Sequence, residues 1–180
     1  MGILHEILKW DYIVYQYISK QLYEPSAFFL FELITNVVDL LIVVLTAYWL
    51  FTLVSAQRSR NREITAFLAP AFITGIITVI LKILIQRGAP TPFVVPWAEI
   101  KIPFLPWGYA FPSGHAARAF ALATAIAIKY PKRIIPLFVG ASLIGFSRVY
   151  IGAHYPLDVI AGTFLGISVS LLLAKLSKNN

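Results

Sequence analysis

Cysteine is absent from the 180-residue chain, which excludes disulfides, thiolate metal sites and cysteine nucleophiles. Charge is scarce too: Asp, Glu, Lys and Arg make up 13% of the residues, against 59% for the apolar ones. That apolar share is well above the average for a soluble domain, and a water-soluble core of this size could not hide it. A mean hydropathy of +0.78 points the same way, to a chain dissolved in lipid. With three histidines and no clustered carboxylates, neither a metal nor a cofactor is expected. No basic face interleaved with aromatics stands clear of the apolar runs, so the net charge of +7 is not read as a nucleic-acid footprint. Basic loops that orient membrane helices and meet anionic headgroups account for it more simply. Met1–Tyr23 has neither a basic start nor a small-residue cleavage site, and is not expected to be a cleaved signal peptide.

What the chain has instead is apolar length. A helix crossing the hydrocarbon core needs about 20 predominantly apolar residues. Ala27–Val54, Ile64–Ile85, Ile134–Ile151 and Pro156–Leu176 reach or approach that, and Ser113–Ile128 is shorter but almost wholly apolar after its opening residues. The expected fold is all-α: a polytopic membrane helix bundle of five transmembrane helices, forming a single domain over residues 1–180. Residues 3–22 carry Leu4, Leu8, Tyr12, Tyr15 and Ile18 at helical spacing, mixed with His5, Glu6, Lys9, Asp11, Gln16 and Lys20. An amphipathic helix lying in the interface is expected there, with a tilted sixth span as the alternative.

Five spans collect Arg58, Arg60, Arg62, Lys129, Lys132, Arg133, Lys175 and Lys178 on one side, which such an excess of cations marks as cytoplasmic. Cytoplasmic loops near 55–63 and 129–133 and a cytoplasmic C-terminal end follow. The N-terminal segment, the loop 87–112 and the turn near 152–155 are then expected at the outer face of a cell membrane. That loop holds Pro90, Pro92, Pro96, Pro103, Pro106 and Pro112 with Trp97, Trp107, Tyr109 and Phe111, which fits an interfacial anchor and a lipid gate equally. Glu32, Asn36 and Asp39 share one face of the first span and are expected to point into the bundle. Gly162 and Gly166 form a small-xxx-small pair suited to close helix packing within it.

The informative polar residues stand at helix ends, in three clusters. The last runs from Ser147 and Arg148 to His154 and Asp158. Asp158, four residues after His154, is placed to accept from one imidazole nitrogen and aim the other outward, the orienting role of a catalytic triad. Arg148 offers a bidentate donor for phosphate oxygens. An ion pair stapling two helices is the plainer alternative. The middle cluster is Pro112-Ser113-Gly114-His115 at the start of a helix. There Ser113 can cap, Gly114 admits a close ligand, the free amides attract an anion and His115 can protonate a leaving oxygen. A capped helix with an interfacial histidine fits as well. The first cluster holds Lys82, Arg87 and Pro90, where the cations serve either as snorkelling anchors or as phosphate ligands. Ionisable groups are costly near a membrane, and three clusters meeting on one face suit phosphoryl transfer without a metal.

The three clusters resemble the signature of the type 2 phosphatidic acid phosphatase family: Lys-x6-Arg-Pro, Pro-Ser-Gly-His, and Ser-Arg-x5-His-x3-Asp. Residues 112–115 and 147–158 match the second and third parts in full, within a signature region of about 82–158. The resemblance implies that His154 forms a phosphohistidine oriented by Asp158. It also implies that His115 is the general acid, and that Lys82, Ser113, Gly114 and Arg148 bind the phosphate. The first part departs from the pattern, because Ala89 stands at the arginine position. Arg87, or Arg118 on the His115 face of its helix, is expected to replace the missing ligand.

The run from Lys20 to Glu32 is similar to the lead-in of the first span in bacitracin-resistance-type undecaprenyl-diphosphate phosphatases, which are also short. The expected substrate is therefore a lipid phosphate or diphosphate, first of all a polyprenyl diphosphate such as undecaprenyl diphosphate. Phosphatidic acid and phosphatidylglycerophosphate are the alternatives. A lipid-binding or transport protein on the same scaffold is the non-enzymatic one. Membrane lipids are the expected surroundings, and no obligate protein partner is expected.

Overall fold

The computed structural model describes residues 2–54, 61–90 and 108–178. Six α-helices account for most of them: α1 (Ile3–Gln16), α2 (Pro25–Val54), α3 (Asn61–Ile85), α4 (Gly114–Lys129), α5 (Ile134–Tyr150) and α6 (Pro156–Lys178). A π-helical turn, Tyr17–Gln21, follows α1, and a 3-10 turn, Pro131–Arg133, precedes α5. The expected all-α membrane bundle is what forms. Arg58, Arg60 and most of the loop 87–112 fall outside the described residues, and so do the side chains of Arg62 and Asp39.

Among the described residues, four stretches are long and apolar enough to cross a membrane: Pro25–Phe51, Glu63–Ile85, Pro131–Tyr150 and Pro156–Lys178. Leu40, Val43, Leu84, Ile135, Phe164 and Leu172 stay exposed on these helices, as lipid-facing side chains must. The fifth expected span, α4, is different. Its 16 residues rise about 24 Å, less than the hydrocarbon thickness. It contacts α6, α3 and α5 and is rich in buried alanines, among them Ala116, Ala117, Ala121 and Ala123. Small side chains let α4 serve as the axis of the bundle, where only its ends need meet water or headgroups.

The close approach of α4 and α6 has a sequence cause. A methyl group on Gly162 would come within 2.4 Å of the Ser113 carbonyl oxygen, and one on Gly166 within 2.1 Å of the Ala117 carbonyl oxygen. Neither position has room for a side chain, so the glycine pair sets the helix separation. Ser170 continues the seam by donating to the Ala121 carbonyl at 2.7 Å.

Helix α2 lies against α3 and α5. Of the polar stripe expected to face inward, Glu32 is half-buried but Asn36 is exposed. Among the described side chains of α2, the buried polar one is Thr35, whose hydroxyl lies 3.3 Å from the Ser147 hydroxyl of α5. Asn36 follows Thr35 by one position and so points away from that contact.

The 14 residues of α1 rise about 21 Å, less than the hydrocarbon thickness, before the helix continues into the π turn. Its first two turns expose Ile3, Leu4, Ile7 and Leu8, while Asp11 and Tyr15 are buried. Of the expected apolar stripe only Tyr15 is buried, and the residue that shares its inward face one turn earlier is an acid, Asp11. The π turn leads to residues 22–24, which Tyr150 holds: its hydroxyl donates to the Leu22 carbonyl at 2.9 Å and accepts from the Glu24 amide at 2.8 Å.

Candidate active site

Lys82 ends α3, Ser113 and Gly114 begin α4, Arg148 ends α5 and Asp158 begins α6. Alternating helix direction thus delivers all three clusters to one end of the bundle. Lys129, Lys132, Arg133, Lys175 and Lys178 stand at the other end.

The turn between α5 and α6 is built by helix-capping chemistry. After Ile151 the chain reverses at Gly152, whose φ of 80° is open to glycine at little steric cost. The Gly152 amide donates to Val149 at 3.1 Å and the Ala153 amide to Arg148 at 3.0 Å, the two bonds of a Schellman ending. His154 follows, its own amide also on the Arg148 carbonyl at 3.1 Å. Pro156 then opens α6, where its missing N–H costs nothing. Asp158 reaches back with Oδ2 to the Tyr155 amide at 2.8 Å, capping its own helix.

His154 and Asp158 are buried, at 6% and 0% exposure. His154 Nδ1 lies 3.7 Å from Asp158 Oδ2, an electrostatic contact longer than a hydrogen bond. Burial pushes the imidazole pKa down to about 4. Asp158 opposes the shift, while the like charges of Arg148 and Lys82 add to it. His154 is therefore neutral at ordinary pH, with a free electron pair. Lys82 donates to the Tyr109 carbonyl and lies within electrostatic reach of Asp158, Arg148 and Arg118.

The second cluster locks onto the third through the backbone. Ser113 donates its amide to the Asp158 carbonyl at 2.8 Å, and its hydroxyl accepts from Ala116 at 3.5 Å as the α4 cap. His115 stands in that first turn. Gly114 faces Thr78 of α3, and Arg118 lies across Gly75 of the same helix. The loop stems are also joined: Ala89 donates to the Gly108 carbonyl at 3.2 Å and Ala110 to the Arg87 carbonyl at 2.7 Å.

Arg87 is turned toward carboxylates. Its Nη1 lies 2.6 Å from Asp158 Oδ1 and its Nη2 meets Asp11 Oδ2, while its guanidinium stacks 4.2 Å above the Tyr155 ring. Asp11 is the site residue that sequence reasoning missed. The one available signal was its four-residue spacing from Tyr15, which marks a shared helix face but not its burial.

Helices long and apolar enough to cross a membrane, arranged around a buried His–Asp pair with several cations near it, define a polytopic membrane protein. A family profile described as PAP2 superfamily matches residues 63–180, and the chain belongs to that superfamily. It is 31% identical over 137 residues to the undecaprenyl-diphosphatase BcrC of Bacillus subtilis, covering 75% of this chain and 66% of the relative. It is 36% identical to an undecaprenyl-diphosphatase of Sulfolobus acidocaldarius, over 63% of this chain and 55% of that one. The chain thus spans under two thirds of these relatives. The solved transmembrane PAP2-type phosphatidylglycerolphosphate phosphatase of Bacillus subtilis shares the fold. The TM-score is 0.71 at 22% identity, over 97% of this chain and 87% of that one.

Proposed function

We propose that this protein is a metal-independent lipid phosphatase that hydrolyses a polyprenyl diphosphate to the monophosphate at the outer membrane face. The observation that carries the lipid assignment is a cavity of about 890 Å³ between α2, α3, α4 and α5. Leu41, Phe72, Val79, Leu122 and Ile144 are typical of its wall, and Arg118 is the one charged side chain among the described residues lining it. An apolar chamber with a cation on its wall suits an anionic headgroup on a long hydrocarbon tail. The names of the two relatives favour a diphosphate headgroup.

The chemistry assigned to the site is a double displacement. The outward nitrogen of neutral His154 attacks the terminal phosphorus, and the bridging P–O bond breaks. His115 gives a proton to the departing monophosphate oxygen. Lys82, Arg148 and the amides behind Ser113 and Gly114 hold the phosphoryl oxygens, with Arg118 in place of the ligand absent at Ala89. Water then attacks the phosphohistidine, His115 takes its proton, the P–N bond breaks and inorganic phosphate leaves. The basic residues at the opposite end favour an outward site.

The test is phosphate release by the purified protein from undecaprenyl diphosphate, phosphatidic acid and phosphatidylglycerophosphate, with His154→Ala as control. Turnover of the diphosphate first, and labelled phosphate trapped on wild type but not on His154→Ala, is the expected result. A marked preference for phosphatidic acid would move the assignment to a glycerolipid phosphatase. Absence of trapping and turnover would leave a lipid-binding protein.

A further inference from the structure

We infer that Asp11 of α1 is a positioning residue for the reaction, acting through Arg87 on Asp158, so that the N-terminal helix is part of the active-site apparatus. The inference rests on the proposed role of His154 as nucleophile.

Asp11 lies outside the segment that matches the family profile, yet it makes the same kind of contacts as Asp158. Its side chain is 1% exposed, and both oxygens are used. Oδ2 takes Arg87, and Oδ1 takes the Leu157 amide at 2.8 Å. Leu157 is the second residue of α6, and its amide is one that no bond within the helix can satisfy. Asp11 thus supplies from another helix a second cap for α6, beside the one that Asp158 gives the Tyr155 amide. Tyr15, one turn on, packs edge-on against Tyr155 with ring centroids 5.3 Å apart.

The charge count explains why an acid is needed. A guanidinium facing Asp158 alone would neutralise the carboxylate that His154 relies on. Forked between two carboxylates, Arg87 leaves the trio with one net negative charge. It also fixes Asp158 Oδ1, so that Oδ2 stays on the His154 side. A rigid fork does this where a flexible ammonium would not. Two buried acids sharing one cation is an arrangement that membrane-level packing keeps only with each carboxylate oxygen engaged. Here the Leu157 and Tyr155 amides complete the set.

The experiment is steady-state kinetics of lipid-diphosphate hydrolysis by wild type, Asp11→Asn, Arg87→Lys and Tyr15→Leu, with thermal midpoints in detergent. Asp11→Asn keeps an acceptor for Leu157 but loses the charge. It is expected to lower kcat about tenfold or more with KM within about twofold, as coupled ionic networks do. Arg87→Lys, which cannot fork, is expected to show the same selective loss. It reads the relay on its own if Asp11→Asn does not fold. Tyr15→Leu loosens the α1 seat without touching a charge, and is expected to lower the thermal midpoint while kcat is kept. Wild-type kcat in either charge variant, or an equal kcat loss in Tyr15→Leu, would overturn the relay. Failure of wild type itself to trap phosphate on His154 would instead remove the reading beneath it.

Discussion

The Ser113 amide donates to the Asp158 carbonyl at 2.8 Å, joining the start of α4 to the start of α6. Two motif fragments far apart in the chain are thereby held at one fixed spacing by backbone alone. That bond depends on how closely the two helices approach, and the approach depends on Gly162 and Gly166.

Gly162→Ala and Gly166→Ala are each expected to destabilise the protein by about 1–3 kcal/mol, because the added methyl meets backbone that cannot rotate away. Activity should fall with stability, since the Ser113–Asp158 bond lengthens. Gly140→Ala, with nothing within 4 Å of its new methyl, is expected to be neutral or stabilising. Thermal midpoints of the three variants in one detergent check this, and equal behaviour would refute it.

The two arginines near the site should separate kinetically. Arg118→Ala is expected to raise KM about tenfold, as loss of a charge-assisted phosphate contact does. Arg87→Ala should act mainly on kcat, because its partners are Asp11 and Asp158. Substrate-saturation curves for both variants give the answer, and a KM effect for Arg87→Ala alone would reverse the assignment.

His154 should resist protonation. Its folded pKa, about 4, lies below the ordinary 6.5, so the folded state binds fewer protons than the unfolded one below 6.5. Its contribution to stability is therefore fully present above pH 6.5 and is lost as pH falls toward 4. Imidazole resonances followed in micelles should include one, missing in His154→Ala, that titrates near pH 4. A midpoint near 6.5 for that resonance would contradict its buried environment.

Tyr150→Phe removes a hydroxyl that serves two backbone groups at the lead-in to α2. A loss of about 1–2 kcal/mol is expected, with little change in KM. Thermal unfolding and saturation kinetics of this variant test both halves of the statement.

Membrane helices announce themselves through apolar length, and that is why α2, α3, α5 and α6 could be placed from sequence. The motif residues are legible for a related reason: polar groups are few here, so Ser113, His154 and Asp158 stand out. Arg87 and Asp11 show where such reading ends. An acid in an amphipathic segment looks solvated until α6 is known to start beside it. A cation near a phosphate motif looks like a phosphate ligand until two carboxylates are found around it. Asn36 fails for the opposite reason: helical spacing gives a shared face, but not which neighbour α2 leans on.

The Gly88–Tyr109 bridge closes the stems of the intervening segment, and Lys82 grips the Tyr109 carbonyl just beneath it. Fastened this way, with Ala89 and Ala110 each donating across the same join, the end of α3 and the lead-in to α4 form one backbone clasp, so a displacement of either helix end is passed to the other and to the ammonium group held between them.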